Sequence, residues 1–267
     1  MKDYDKKLKQ LEKIYTKAEQ RLIQIITNKT VKRQNTDFYK EMLREVQREL
    51  LNIQIVTVRL CNDIVNNLYL EALEGSLESL QMDISTGFTA LHKEAIKVLT
   101  DNMVNNFANV NNLVGRQIAD TLREIGLDKA STKFTTGQTI KQMQREVREK
   151  LLAENILGIM DKRGRIIPYT TYAELLSRSI VAETQNTCVL NVAKEYDKDL
   201  VKMTHHNTSC GVCQKYEGKI YSLSGNSSKY PYLKSIPGFN RGYNNIHPRC
   251  KHRISLFLQK FSDENII

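Results

Sequence analysis

Apolar residues recur at alternating steps of three and four through Leu8, Leu11, Tyr15, Ala18, Leu22 and Ile25, with Lys and Glu around them. This spacing predicts an amphipathic helix ending near Asn28. A longer stripe runs through Tyr39, Leu43, Val46, Leu50, Ile53, Thr57, Leu60 and Ile64 and continues toward Leu73, where Gly75 is expected to interrupt it. The segment Ile53, Ile55, Val56, Val58 and Leu60 carries a competing strand signal, but the length of the pattern favours helix. A third helix is expected over about 88–125, with Leu99, Met103, Phe107, Val110 and Val114 on its buried line. The Asn-rich run 102–112 is a poor helix former, so a bend is expected there. A fourth helix is predicted over 139–155 from Ile140, Met143, Val147 and Leu151.

Beyond residue 155 the pattern changes. Two short apolar runs, 156–160 and 165–167, flank an Asp-Lys-Arg-Gly turn and predict a β-hairpin. Pro168 follows, and Thr171 with Glu174 three residues later forms a capping-box signature opening a helix over about 172–196. That helix is apolar on two faces, with Leu175, Ser179, Ala182, Asn186, Val189 and Tyr196 on one line and Leu176, Ile180 and Leu190 on another. After Asp199 the helix signals stop, and Gly, Pro, Tyr, Cys and His residues mark a compact, loop-rich terminal module.

Composition narrows the class. The 267 residues contain 4 Pro, 12 Gly and no Trp, too few turn formers for a sandwich of many short strands. The chain has no run of 18 apolar residues and its first ten residues are charged, so neither membrane insertion nor secretion is expected. The expected architecture is mainly α: an elongated N-terminal helical bundle over 1–135, then a small α+β, loop-rich module over 136–267. Net charge is +10, and its distribution is uneven. Residues 1–162 carry 25 Lys/Arg against 22 Asp/Glu, whereas 163–267 carry 15 against 8. Within 200–260, Lys202, Lys215, Lys219, Lys229, Lys234, Arg241, Arg249, Lys251, Arg253 and Lys260 face a single acid, Glu217. Such a segment is suited to a polyanion, and non-specific duplex DNA contact is expected of it; a merely solvated basic surface is the plainer alternative.

Three of the five cysteines and four of the five histidines lie between His205 and His252. Cys210 and Cys213 form a CxxC knuckle that can turn two thiolates toward one cation, and His247, Cys250 and His252 follow 34 residues later. Together these residues suit a tetrahedral, structural Zn²⁺ site. The first-choice ligands are Cys210, Cys213, His247 and Cys250, with His206 and His252 as substitutes. Inert thiols in a small core, or a Cys210–Cys213 disulfide, are the alternatives. Cys61 and Cys188 fall within helical patterns and are expected to be core residues.

The stretch 155–252 resembles tailed-phage minor capsid proteins of the Mu F-type head-morphogenesis group, those called phage minor capsid protein 2. The resembling residues are the hairpin 158–164, the helix opening 171–174, and Arg178, Glu183 and Asn186 along that helix. They continue through His206, Cys210 and Cys213, then Glu217, Gly218, Tyr221, Ser222, Tyr230 and Pro231, and end with His247, Pro248, Arg249, Cys250, Lys251 and His252. Lys251 stands where many members have Arg, which keeps the charge. The N-terminal half agrees with the family only in its helical character. The resemblance implies a structural head protein, inside the virion and in the host cytoplasm during assembly. It also implies association with the portal, or with major capsid or scaffold protein, and help with DNA packaging or ejection.

No catalytic residue is expected. Glu183 invites a catalytic reading, but pairing with Arg178 or a neighbouring base is the commoner use of such a carboxylate. The rival from another class is a metal-dependent HNH-like nuclease built on His205, His206, Asn245 and His247, although Pro248 disfavours the helix that reading needs at His247. A C-terminal effector domain is not expected, since only 15 residues follow His252. The helical half is expected to leave an apolar stripe uncovered, for docking or for self-association.

Overall fold

A computed structural model describes residues 3–27, 37–136, 157–161, 164–242, 244–247 and 250–259, together with Glu149. The chain is mainly helical, with a small strand-containing C-terminal region. It divides into two compact units, one made of 5–60 and 104–174, the other of 1–4, 61–103 and 175–267. Each unit draws on both sides of residue 135, because the long helices run from one unit into the other.

The first unit is built on α1 (Asp3–Thr27), the first half of α2 (Asp37–Ser79) and the second half of α4 (Ala90–Thr136). Leu11, Tyr15, Ala18, Leu22 and Ile26 form the buried line of α1, so the stripe closes on Ile26 rather than Ile25. The Tyr15 ring lies 5.1 Å from Phe107 of α4 and 5.1 Å from Tyr169, and its hydroxyl accepts from Thr57 Oγ1 of α2. The expected hairpin is present. Strand β1 (Gly158–Met160) pairs antiparallel with β2 (Ile166–Pro168), Ile159 opposite Ile167. Gly164, at φ +76°, donates its amide to Asp161 O, and the Asp161 carboxylate accepts from the Arg165 amide and guanidinium. A left-handed residue in a tight turn is the position where glycine has no steric penalty.

Two expectations about helix limits are corrected. Gly75 does not stop α2, because Leu73, Ser76 and Leu77 on either side are buried. Burial of Leu77 is worth about 1.5–3 kcal/mol, more than the ~1 kcal/mol a mid-helix glycine costs. The Asn-rich run, where a bend is expected, lies within α4, and Met103, Phe107, Val110 and Val114 are buried through it. Asn111 there is a tie between elements, donating to Gln54 Oε1 and accepting from the Tyr169 hydroxyl. Second, α5 (Tyr169–Glu195) begins three residues before the predicted start. The Thr170 amide donates to Glu19 Oε2 of α1, so the helix N-terminus meets a carboxylate from another element instead of the Thr171/Glu174 box. The helix predicted over 139–155 lies outside the described residues, as do the turn residues Lys162 and Arg163.

In the second unit, Tyr69 of α2, His92 of α4 and Asn191 and Glu195 of α5 form a buried chain of hydrogen bonds. The Tyr69 hydroxyl is 2.9 Å from His92 Nδ1 and accepts from Asn191 Nδ2, while His92 Nε2 is 3.0 Å from Glu195 Oε2. The short helix α3 (Ile84–Gly87) is capped by the Asp83 carboxylate, which accepts from the Ser85 amide. A three-stranded antiparallel sheet follows, in the order β4 (Ile220–Ser222), β3 (Leu200–Met203), β5 (Ile254–Leu256). Behind it lie a 3-10 turn (Leu233–Ser235) and α6 (Pro237–Asn240). Val189, Val201, Met203, Tyr221, Leu233, Ile236, Phe239, Ile246 and Ile254 enclose a core together with Cys213 and Cys250. The terminal module therefore has an apolar core of its own, which a reading of it as loops stapled by a metal does not anticipate.

Candidate metal centre

The knuckle begins where Thr208 Oγ1 accepts from the Cys210 amide. Cys210 O then accepts from the amides of Cys213 and Gln214, and Cys213 O from those of Tyr216 and Glu217. This tight double turn holds the Cys210 and Cys213 sulfurs on one side. The second half of the site comes from the loop before β5, where the Cys250 amide donates to His247 O and the His252 amide points at Cys250 Sγ, 3.4 Å away.

The donor atoms make two groups, Cys210 with Cys213 and His247, and Cys213 with Cys250 and His252. Within each group all ligand atoms lie within 4.8 Å of one another, and Cys213 belongs to both. A tetrahedral zinc site has edges of about 3.8 Å between sulfurs and about 3.6 Å between sulfur and nitrogen. The observed separations are 3.7 Å for Cys213 Sγ to Cys250 Sγ, 3.5 Å for Cys210 Sγ to His247 Nε2, and 3.4 Å for Cys250 Sγ to His252 Nδ1. Cys213 Sγ to His247 Nε2 is closer, at 2.9 Å. These residues can hold a metal ion. All five cysteines are free thiols, so Cys210 and Cys213 form no disulfide.

Electrostatics separate the thiols. The Cys213 and Val212 amides face the Cys210 sulfur and bring its pKa down to about 7, close to the thiolate a metal needs. Burial, then the neighbouring Cys250, push Cys213 up. Cys61 and Cys188 are buried within helices and pushed up to about 12 by that burial, as core residues should be. Glu217 is partly desolvated, which raises its pKa. Hydrogen bonds from His252 and from the amides of His206 and Thr208 outweigh that and hold it at about 2.

His206 is exposed, with Nε2 3.0 Å from Thr204 Oγ1, and its ring packs edge-on against His252 with centroids 5.0 Å apart. Asn245 is buried and accepts from the Ile246 amide, and 244–247 form a bend, not a helix. The helix that an HNH-like nuclease requires at His247 is thus missing from the described residues, and its ring faces the thiols.

Among the basic residues, Lys202, Lys215, Lys219, Lys229, Lys234, Arg241 and Lys251 are exposed. Lys234 lines an open cleft with Lys194 and Lys198, and Lys202 lines another with Glu78. Arg253 differs from the expectation. Its guanidinium donates to Gln185 Oε1 and to the carbonyls of Cys250 and His252, so it braces the Cys/His loop and is part-buried. Arg249 lies outside the described residues. On α5, Asn186 bonds the Ile254 amide of β5 and the Asn244 carbonyl, and Arg178 is exposed. Glu183 is half-buried with no hydrogen-bond or ion-pair partner among the described residues, so the expected pairing with Arg178 is not formed.

The family described as phage minor capsid protein 2 matches residues 2–265. The chain belongs to that family. No curated protein and no solved structure matches it. Membership makes it a structural minor capsid protein of a phage, with a place in the virion. The match spans the helical half as well as the Cys/His module.

Proposed function

We propose that the C-terminal module contacts DNA without sequence preference inside the phage head and assists genome packaging or delivery. The observation that carries this reading is the fate of Glu217, the one acid in 200–260. Its side chain is 6% exposed and turned onto His252, while seven Lys and Arg side chains of the same segment face solvent. Their charge is left without a neutralising partner in that segment, which is the electrostatic footprint of a phosphate-binding face. Zn²⁺ is the ion we propose for the Cys/His group, because thiolates with an imidazole in tetrahedral spacing select zinc over harder cations. Its role is structural, to fix the loops that carry Lys215, Lys219 and Lys251.

The helices supply the docking surface. Leu51 and Ile55, one turn apart on α2, are 61% and 49% exposed, and the portal is the partner we propose for them. Major capsid or scaffold protein, or a second copy of the chain, would cover the same residues. Pull-down with co-expressed portal, comparing the intact chain with Leu51→Lys/Ile55→Lys, separates these cases.

The DNA reading is tested by titrating duplex DNA of unrelated sequences with the full chain at several salt concentrations. Affinity is expected to be alike for all sequences and to fall steeply with salt. Replacing Lys215, Lys219 and Lys251 by Glu should abolish binding and leave the fold intact. Binding that survives those changes, or ignores salt, overturns the assignment.

A further inference from the structure

We propose that His252 is the imidazole that completes the metal site, binding through Nδ1, and that Glu217 is its positioning residue. The inference rests on the reading of the Cys/His group as a zinc site and selects between the two triads. His252 is buried, and its Nε2 lies 2.9 Å from Glu217 Oε1. Glu217 is itself fixed, since its carboxylate accepts from the amides of His206 and Thr208. A carboxylate can only accept, so the proton of the imidazole sits on Nε2 and the lone pair is left on Nδ1. That lone pair points into the thiol group, 3.4 Å from Cys250 Sγ. A carboxylate that holds the far nitrogen of a ligating histidine is the usual way a metal site sets tautomer and ring angle.

Four more contacts hold the ring and its loop there. Arg253 donates to the His252 and Cys250 carbonyls, the His252 amide faces Cys250 Sγ, and the His206 ring covers the outer edge. The competing imidazole stands at coordination spacing from Cys210, 3.5 Å away, but not from Cys213. His247 Nε2 is 2.9 Å from Cys213 Sγ, about 0.7 Å inside the sulfur–nitrogen edge of a tetrahedral site, so its ring must withdraw before both could hold one ion. His252 is within about 0.2 Å of that edge as it stands. The triad that follows is Cys213, Cys250 and His252, and Cys210, which lies in the other triad through Cys213, draws in to complete four ligands, with His247 a neighbour hydrogen-bonded to the thiolates.

The test uses the full-length, zinc-loaded protein in competition with a chromophoric chelator. His252→Ala and Glu217→Gln are each expected to weaken zinc about 10- to 100-fold, and His247→Ala by no more than about threefold. Because a variant could fail through misfolding, the wild type is examined as well. Its ¹⁵N imidazole spectrum should show His252 metallated at Nδ1 and protonated at Nε2, and its Co²⁺-substituted form should show three thiolate ligands. Loss of zinc on His247→Ala with retention on His252→Ala overturns this inference and leaves the zinc reading standing, as does a metallated His247 spectrum. Two zinc ions per chain, one in each triad, also overturn it. A wild type that binds no zinc removes both readings.

Discussion

Asn186, in the middle of α5, accepts a hydrogen bond on Oδ1 from the Ile254 amide of β5 at 3.0 Å and donates from Nδ2 to Asn244 O. One buried side chain thus satisfies an amide of the sheet's β5 strand and a carbonyl of the loop that leads to His247. Truncation to Ala would leave the buried Ile254 amide and the part-buried Asn244 carbonyl without this partner, at about 1–3 kcal/mol each. Asn186→Ala is therefore expected to destabilise the chain by about 2–6 kcal/mol. Amide hydrogen exchange should lose protection at Ile254 first. Asn186→Asp keeps the acceptor, so protection at Ile254 should largely survive while the loop at Asn244 loosens.

The same loop is in close contact with Gly238 of α6. A Cβ there would stand 1.8 Å from Asn245 O and 2.8 Å from Ile246 O, both backbone atoms that cannot swing aside. Gly238→Ala should cost at least about 1–3 kcal/mol, the range for overpacking a close-packed site, and it should lower expression of folded protein. Urea denaturation beside Gly242→Ala checks this, since Gly242 has open space around it and only its positive φ to lose.

Periodicity made the long helices legible, because Leu11, Tyr15 and Leu22, or Met103, Phe107 and Val114, repeat at a spacing only a helix buries on one side. The ends were less so, since they depend on partners far away in sequence: Glu19 receives the N-terminus of α5 across 151 residues. Strands β3, β4 and β5 were missed altogether. Each has only three or four residues, too few for alternation to stand out, and they pair across separations of about 20 and 50 residues. CxxC spacing pointed to Cys210, Cys213 and Cys250. Nothing local to Glu217 or Arg253 announced that they would turn inward, because charge in a sequence says nothing of where its partner lies.

The module's own apolar core changes what metal removal should do. Val201, Met203, Tyr221, Ile236 and Phe239 share one apolar core with Cys213 and Cys250 whose burial needs no ion, so chelation should not unfold the sheet. The expected result is one zinc per chain by elemental analysis. After chelation, faster hydrogen exchange should be confined to about 205–218 and 245–253. Cys213→Ser should reproduce that pattern, because Cys213 belongs to both triads. Global unfolding on chelation would mean that the ion, not the core, holds the module together.

Glu183 carries the clearest pH signature on the long helix α5. Burial raises its pKa, and no hydrogen bond or ion pair among the described residues offsets that. Since the folded-state value lies above the unfolded one, the folded chain binds the extra proton in the window between the two. Stability then falls as pH rises through that window, and the penalty is complete above the folded-state pKa. Below the ordinary carboxylate range Glu183 is protonated in both states and the penalty is absent. Glu183→Gln, which cannot ionise, should raise the melting temperature at neutral pH and make no difference in acid. A general acid or a charge paired in the assembled head would behave differently, with the Gln variant losing infectivity despite its greater stability. Melting curves of both proteins across pH 4 to 8, alongside complementation of a phage lacking the gene, distinguish a tolerated buried carboxylate from one retained for use.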